Sequence, residues 1–354
     1  MKFRDILLIV LVFLVIVAVW ATVFNSSSSV VNIEPKENVS LAVTGDVMFA
    51  RNMPGVLSTD SSPFEGVSDV ISNVDLLLIN FENAATTSGD ALKGDVPLKC
   101  DPSYVPLAKA NNITVAALAN NHAYDYGETG MKDTLKYLKE ADITAMGAGN
   151  NADEAHKAVV KEINGRKITI LNYMDSENFA EYSQDVMPYA KESSPGYSAY
   201  DSEDVKKQIA ENNDSDCIIA YMHFGNEYSN SPNDNQVKIA HELIDYGADV
   251  VIGAHPHVTQ GIDMYKGKPI FYSLGNFIFD QSNTATHSAY FVKIDLVGDT
   301  GECTVYPIYI SNYLPQYMSS EDGTSLLSNL SPKCSELEIE SNGTGRLTFN
   351  LTDN

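Results

Sequence analysis

Residues able to hold a cation or move a proton recur along the chain at Asp46, Glu82, Asn121-His122, His223, His255 and His257. Imidazole, carboxylate and amide oxygen, with no thiolate among them, make the ligand set of a hydrolytic metal centre. His255-Pro256-His257 is the strongest single signal. Residues two apart in an extended segment share a face, so both imidazoles would point at one cavity. Asn120-Asn121-His122 offers an oxygen ligand and a proton donor together, although asparagines there serve equally well to cap the next segment. Gly45-Asp46 and Asn80-Phe81-Glu82 are weak alone: Gly-Asp is a common turn, and a lone glutamate after a strand is commonly a solvated loop residue. Glu227, four residues after His223, reads as a ligand, a catalytic acid or base, or a plain loop carboxylate. Arg51, five after Asp46, is placed to pair with an anionic substrate group. Asn276 and Asp280, in the patterned run 273–280, are candidates to complete or brace the site, with Asn276 assigned to substrate binding. His156 and His241 fall in helical stretches and read as structural, and His287 falls in a polar loop. No phosphate-loop pattern and no Gly-x-Ser-x-Gly elbow is present, which argues against a nucleotide kinase or a serine hydrolase.

Those side chains need elements to bring them together. Asp46 follows an apolar run at 41–45 and Glu82 one at 76–81. His122 follows 115–119, His223 follows 217–222, and His255 follows 249–253. Each run reads as a buried strand, and in an α/β fold ligands gather at the rim where such strands end. Helices are expected at 104–110, 128–141, 204–211 and 235–246, between the strands. Asn164-Gly165 between two strand-like runs predicts a hairpin. The last third turns strand-rich. Alternating βα units followed by hairpins predict an α/β domain over 40–310: a sandwich of mixed β-sheets flanked by helices. The tail 311–354, rich in Ser, Asn and Gly, is expected to be peripheral, with a final hairpin around Asn342-Gly343.

The N-terminus has a separate role. Residues 6–24 are apolar except for Thr22, long enough to cross a bilayer as one helix. Lys2 and Arg4 precede them and no basic residue follows until Lys36, which keeps 1–5 in the cytoplasm and sends the rest outside. Residues 25–39 then act as a linker. A cleaved signal peptide is the competing reading, because Val19-Trp20-Ala21 has suitable small residues, but the apolar core is long for one. The chain carries a net charge of −24, which disfavours nucleic acid as a partner. Its four cysteines have no metal-type spacing.

Taken in order, six motifs resemble the CapA family, capsule-associated poly-γ-glutamate biosynthesis proteins with a metallophosphoesterase (calcineurin-like) fold. They are Thr44-Gly45-Asp46-Val47-Met48, Asn80-Phe81-Glu82, the run 118–127 around Asn121-His122, His223-Phe224-Gly225-Asn226-Glu227-Tyr228, Gly253-Ala254-His255-Pro256-His257, and 273–280. The resemblance implies a two-metal centre for divalent cations (Mn, Fe, Zn or Mg). Asp46, Asn121, His223, His255 and His257 match ligand positions, Glu82 stands where a bridging aspartate lies, and His122 matches the proton donor to a leaving group. Glu227 is kept as a second catalytic candidate. Met48 departs from the phosphoesterase pattern, which has histidine there, and a thioether is a poor ligand for hard cations. One of the two sites is therefore expected to be weakened. The resemblance also implies a membrane-anchored role in making, exporting or processing poly-γ-glutamate beside other proteins of that machinery. Its alternatives are a non-catalytic accessory subunit that binds the anionic polymer, and a stand-alone extracellular phosphodiesterase.

Overall fold

The parallel strands at the centre of the fold are apolar on both faces, as strands covered twice must be. In a computed structural model of the chain, residues 37–57, 62–92, 94, 96–110, 113–181, 188–332 and 334–351 are described. The cytoplasmic start, the 6–24 stretch and most of the expected linker lie outside them. Among the described residues, no helix is long and apolar enough to cross a membrane.

One ten-stranded sheet runs in the order Glu338–Ile339, Gly345–Asn350, Thr300–Ser311, Ser288–Val297, Val39–Val47, Leu76–Phe81, Ile113–Ala117, Thr144–Met146. Asn276–Ile278 pairs in parallel with the end of Val39–Val47, and Leu314–Tyr317 lies beside Thr300–Ser311. A six-stranded sheet runs Ile262–Tyr265, Lys268–Phe271, Val250–Ala254, Cys217–His223, Arg166–Met174, Val159–Ile163. Val39–Val47, Leu76–Phe81, Ile113–Ala117 and Thr144–Met146 are mutually parallel, as are Arg166–Met174, Cys217–His223, Val250–Ala254 and Lys268–Phe271. Their C-terminal ends therefore form rims. Alternate residues (Leu41, Val43, Leu76, Leu78 against Ile170, Ile219, Tyr221, Ile252) share one core between the sheets. The intervening residues (Ala42, Leu77, Ile79 in one sheet, Leu171, Ala220, Val251 in the other) face outward into two further cores.

The expected helices form as Val105–Ala110, Gly127–Glu140, Ser202–Glu211 and Asp234–Tyr246. The last has clear start and stop chemistry: Asn233 and Gln236 make a capping box, and Gly247 ends it at φ 117°. Asn164 and Gly165 both take positive φ, as a two-residue hairpin of the primed type requires.

The tail differs from expectation. The hairpin of Glu338–Ile339 with Gly345–Asn350 forms, but Gly345–Asn350 also extends the large sheet, and Leu347 and Phe349 are buried in the inter-sheet core. A helix, Ser320–Leu330, precedes it, capped by Ser319 and anchored through Leu327 and Leu330. Too few apolar residues mark it in a Ser- and Asn-rich stretch, because only one narrow stripe is buried. The segment is a structural edge of the domain, not a peripheral one.

Candidate metal centre

Two sheet rims meet where the predicted residues lie. Tyr221 donates its hydroxyl to the Thr44 carbonyl at 2.9 Å. Asn172 donates to the Tyr221 carbonyl at 3.0 Å and accepts from the Ala119 amide at 2.9 Å, fastening one rim to the other. Gly45 is needed for close approach: a Cβ there would sit 1.8 Å from the Gly275 carbonyl oxygen. That contact, more than a sharp turn, is why glycine precedes Asp46.

At the meeting point Asp46, Glu82 and His223 are all buried, and their potential ligand atoms lie within 4.8 Å of one another. Asn80, near the end of the strand Leu76–Phe81 that Glu82 follows, donates through Nδ2 to Asp46 Oδ1 and to Glu82 Oε2, both at 2.8 Å. Asn80 Oδ1 in turn accepts from Asn120 at 3.0 Å. Asn121 Oδ1 is 3.1 Å from His223 Nε2. The His255 ring lies 4.6 Å from the His223 ring, centroid to centroid.

His257 presents Nδ1 to Asp46 Oδ2 at 3.1 Å and to Asn276 Oδ1 at 3.0 Å, with Nε2 3.7 Å from Glu82 Oε1. Burial works against a charge on either partner of the Asp46–His257 pair. The mutual hydrogen bond and charge attraction outweigh it, holding the Asp46 carboxyl below the usual range and the His257 imidazole above its own. Glu227, half-buried at the rim, adds to the His257 effect through its charge.

His255 and His257 do not lie in an extended segment as expected. Both adopt left-handed backbone (φ 99° and 59°), and their rings stand 6.3 Å apart. They reach the site because the chain bends sharply around Pro256, a local strain of the kind found at functional sites.

His122 reaches Glu82 Oε1 with Nε2 at 4.0 Å, while its Nδ1 is 2.7 Å from the buried carboxylate of Asp125. Asp125 also accepts from the Leu98 amide at 2.7 Å, which fixes its orientation. An imidazole backed by a buried carboxylate on one nitrogen, with the other turned toward the acidic group, is arranged to hand over a proton.

Arg51 pairs with Asp280 and lies 5.5 Å over the Phe279 ring, which stands 4.8 Å from the His257 ring. It sits on the rim, one aromatic ring away from the centre. Asn276, expected at the substrate, is buried, with its oxygen at His257 and its nitrogen donating to Gln281 and the Thr286 carbonyl. Its position makes it a brace. Met48 is fully buried, and its sulfur accepts from the Ala50 amide at 3.0 Å. Asn80 and Asp125 escaped the sequence reading as site residues. Asn80 precedes Glu82 by two and Asp125 follows His122 by three; those spacings were the available signals.

The family described as bacterial capsule synthesis protein PGA_cap matches residues 40–281, a span that holds every one of these side chains. The chain belongs to that family. Among relatives of this PGA_cap member, the capsule biosynthesis protein CapA of Bacillus anthracis is 32% identical over 88% of this chain and 78% of its own. The PGA biosynthesis protein CapA of Bacillus subtilis is 35% identical over 78% of this chain and 73% of its own. Of solved structures, the calcineurin-like phosphoesterase YfkN of Bacillus subtilis is 13% identical, covering 90% of this chain and 92% of that one at a TM-score of 0.43.

The donor chemistry suits a divalent metal. Two carboxylates and an imidazole, buried and converging, match the oxygen- and nitrogen-loving cations, and no soft donor is among them. Asp46, Glu82 and His223 would hold it. Among the described residues this is the one acid and histidine group drawn so close, and Asn121 and His257 border it, at His223 and at Asp46 and Glu82.

Proposed function

We propose that this chain works outside the cytoplasm, held by its 6–24 stretch as a membrane anchor, in the synthesis, export or processing of poly-γ-glutamate or a similar anionic surface polymer. The observation that carries the reading is the buried Asp46–Glu82–His223 group at the strand ends of a PGA_cap family member. A divalent cation there supplies Lewis-acid stabilisation of developing charge on an amide or phosphoester. The chain's own residues do the rest. Water attacks the amide carbon or the phosphorus, and His122, oriented by Asp125, donates a proton to the group that leaves. Asn80 spreads two hydrogen bonds over both carboxylates and eases their repulsion. Arg51, braced on Asp280, meets an anionic group at the rim. Glu227 tunes His257 from the edge. With a net charge of −24 the protein repels a polyglutamate chain at long range, so recognition rests on the cation and Arg51, beside other proteins of the polymer machinery.

Met48 favours a second reading. With its sulfur bound to the backbone in the core, one metal position of a two-metal centre lacks its donor, as suits an accessory subunit that binds polymer without cutting it. The full chain with Mn²⁺, offered a γ-linked glutamate oligomer and a model phosphodiester, separates the two. Turnover of either, lost in His122→Ala, supports the hydrolase. Binding of the oligomer without cleavage supports the accessory subunit, and neither binding nor turnover sinks both. Recovery of the chain in the soluble cell fraction would remove the anchor.

A further inference from the structure

Tyr228 is an aromatic side chain left 48% exposed beside a buried polar centre. Its backbone adopts φ 62°, a left-handed conformation that a non-glycine residue rarely takes. Something holds it there. Its amide donates at 2.8 Å to the carbonyl of Pro256, the residue between His255 and His257, which ties the turn after His223 to the turn that carries both histidines. Its ring lies 6.1 Å from the His257 ring, so His257 is flanked by Tyr228 and Phe279.

A hydrogen-bond chain runs inward from this surface tyrosine. The Tyr228 hydroxyl accepts from Gln281 Nε2 at 3.3 Å. Gln281 Oε1 accepts from Asn276 Nδ2 at 2.9 Å. With Nδ2 donating to Gln281 and to the Thr286 carbonyl at 3.3 Å, Asn276 can turn only its oxygen toward His257, 3.0 Å from Nδ1. Asn276 Oδ1 accepts from Nδ1, and the Asp46 carboxylate, at ion-pair distance from the same nitrogen, favours the proton there too. In the neutral ring Nε2 then carries the lone pair, 3.7 Å from Glu82 Oε1. An imidazole is a metal ligand through a lone-pair nitrogen alone, and the partner of its other nitrogen decides which one that is.

We propose that Tyr228 and Gln281 are positioning residues for His257: together with Asn276 they fix its tautomer so that Nε2 faces the metal cavity. The inference rests on the metal reading of the site. Neither residue is assigned contact with the cation. Gln281 sets the direction of the Asn276 amide, and Tyr228 holds Gln281 in place from the surface while its ring shields one face of His257.

The test is Zn²⁺ titration of the full chain by calorimetry, beside ¹⁵N spectra of its histidines without metal. Partners of metal-bound histidines are typically worth 10–100-fold in metal affinity, so Gln281→Leu, one step further out, should weaken Zn²⁺ binding about tenfold. Tyr228→Phe should lose less, in the same direction. Gln281→Glu keeps the acceptor facing Asn276 and should stay near the parent. In the metal-free chain, at a pH high enough to leave the ring neutral, His257 should read as the Nδ1–H form in the parent and as a tautomer mixture in Gln281→Leu. The melting temperature should be unchanged throughout. Parent-like affinity and a parent-like His257 tautomer in Gln281→Leu would overturn the proposal. So would a loss that persists undiminished in a His257→Ala background, because the effect would then bypass His257. A parent that takes up no Zn²⁺ refutes the metal reading and the proposal together, whereas parent binding that these variants leave untouched refutes the proposal alone.

Discussion

Removing one charge at the end of the sheet opposite the site should destabilise the domain severely. Lys268 is 5% exposed at its side chain and Asp249 not at all, and Nζ lies 2.7 Å from Asp249 Oδ1. Nζ also donates to the Asn350 carbonyl at 2.6 Å, and Asp249 Oδ2 accepts from the Ile218 amide at 2.8 Å. The pair thus joins the strands that carry His223, His255 and His257 to the C-terminal strand. Lys268→Met leaves a carboxylate buried without its counter-charge, a change that costs about 3–5 kcal/mol. At about 2 °C per kcal/mol for a domain of this size, the melting temperature should fall by about 6–10 °C. The deficit should depend on pH. Burial already holds the Asp249 carboxyl above the usual range, with Lys268 partly offsetting it. An acid whose folded pKa is raised favours the folded state below its unfolded pKa, and that advantage is lost as pH rises through the folded value. Without Lys268 the folded value rises further. The variant should therefore approach the parent below the ordinary aspartate range and fall furthest behind it above the raised value. Asp249→Asn combined with Lys268→Met should be less damaging than Lys268→Met alone, since no charge is then buried. Chemical denaturation from acid to neutral pH measures all of this. A loss under about 1 kcal/mol, or one that does not vary with pH, would refute the reasoning.

Other outcomes follow from the same geometry. His122→Ala should lower hydrolytic turnover by about 10²–10⁴-fold with metal content unchanged, and Asp125→Asn should fall between it and the parent; kinetics with parallel metal analysis checks both. Gly45→Ala drives a Cβ against the Gly275 carbonyl and should cost about 1–3 kcal/mol while weakening metal binding through the displaced Asp46, read by denaturation and calorimetry. Mn²⁺ at 100 times its dissociation constant should stabilise the chain by about 2.7 kcal/mol, and a chelator should reverse it; Asp46→Asn should show no such gain. Arg51→Ala should raise KM for an anionic substrate far more than it changes kcat, because Arg51 stands at the rim and not among the buried ligands.

Much of this protein was legible in its residues. The apolar runs before Asp46, Glu82, His122, His223 and His255 announced strands, because a strand covered on both faces must be apolar throughout, and such runs in alternation with helices imply parallel sheets with shared rims. Asn164-Gly165 announced its hairpin, since few other pairs accept two positive φ values. The chemical character of the site was equally plain, because donor type is a property of the residue alone. Tertiary structure decided which donors converge. Asp46, Glu82 and His223 come from three strands in two sheets, and only the packing of those sheets brings their atoms within 4.8 Å. It also decided orientation: Asn276 braces His257, Met48 turns its sulfur to the backbone, and His255 and His257 reach the site through a bend that no extended-strand pattern predicts. The tail joined the core for the same reason. Leu347 and Phe349 are too few to mark an essential strand, yet the open edge of Thr300–Ser311 gave their strand a partner. Sequence carries periodicity and chemistry locally; distances between remote residues, and the hydrogen bonds that aim an amide or an imidazole, exist only after the chain has closed on itself.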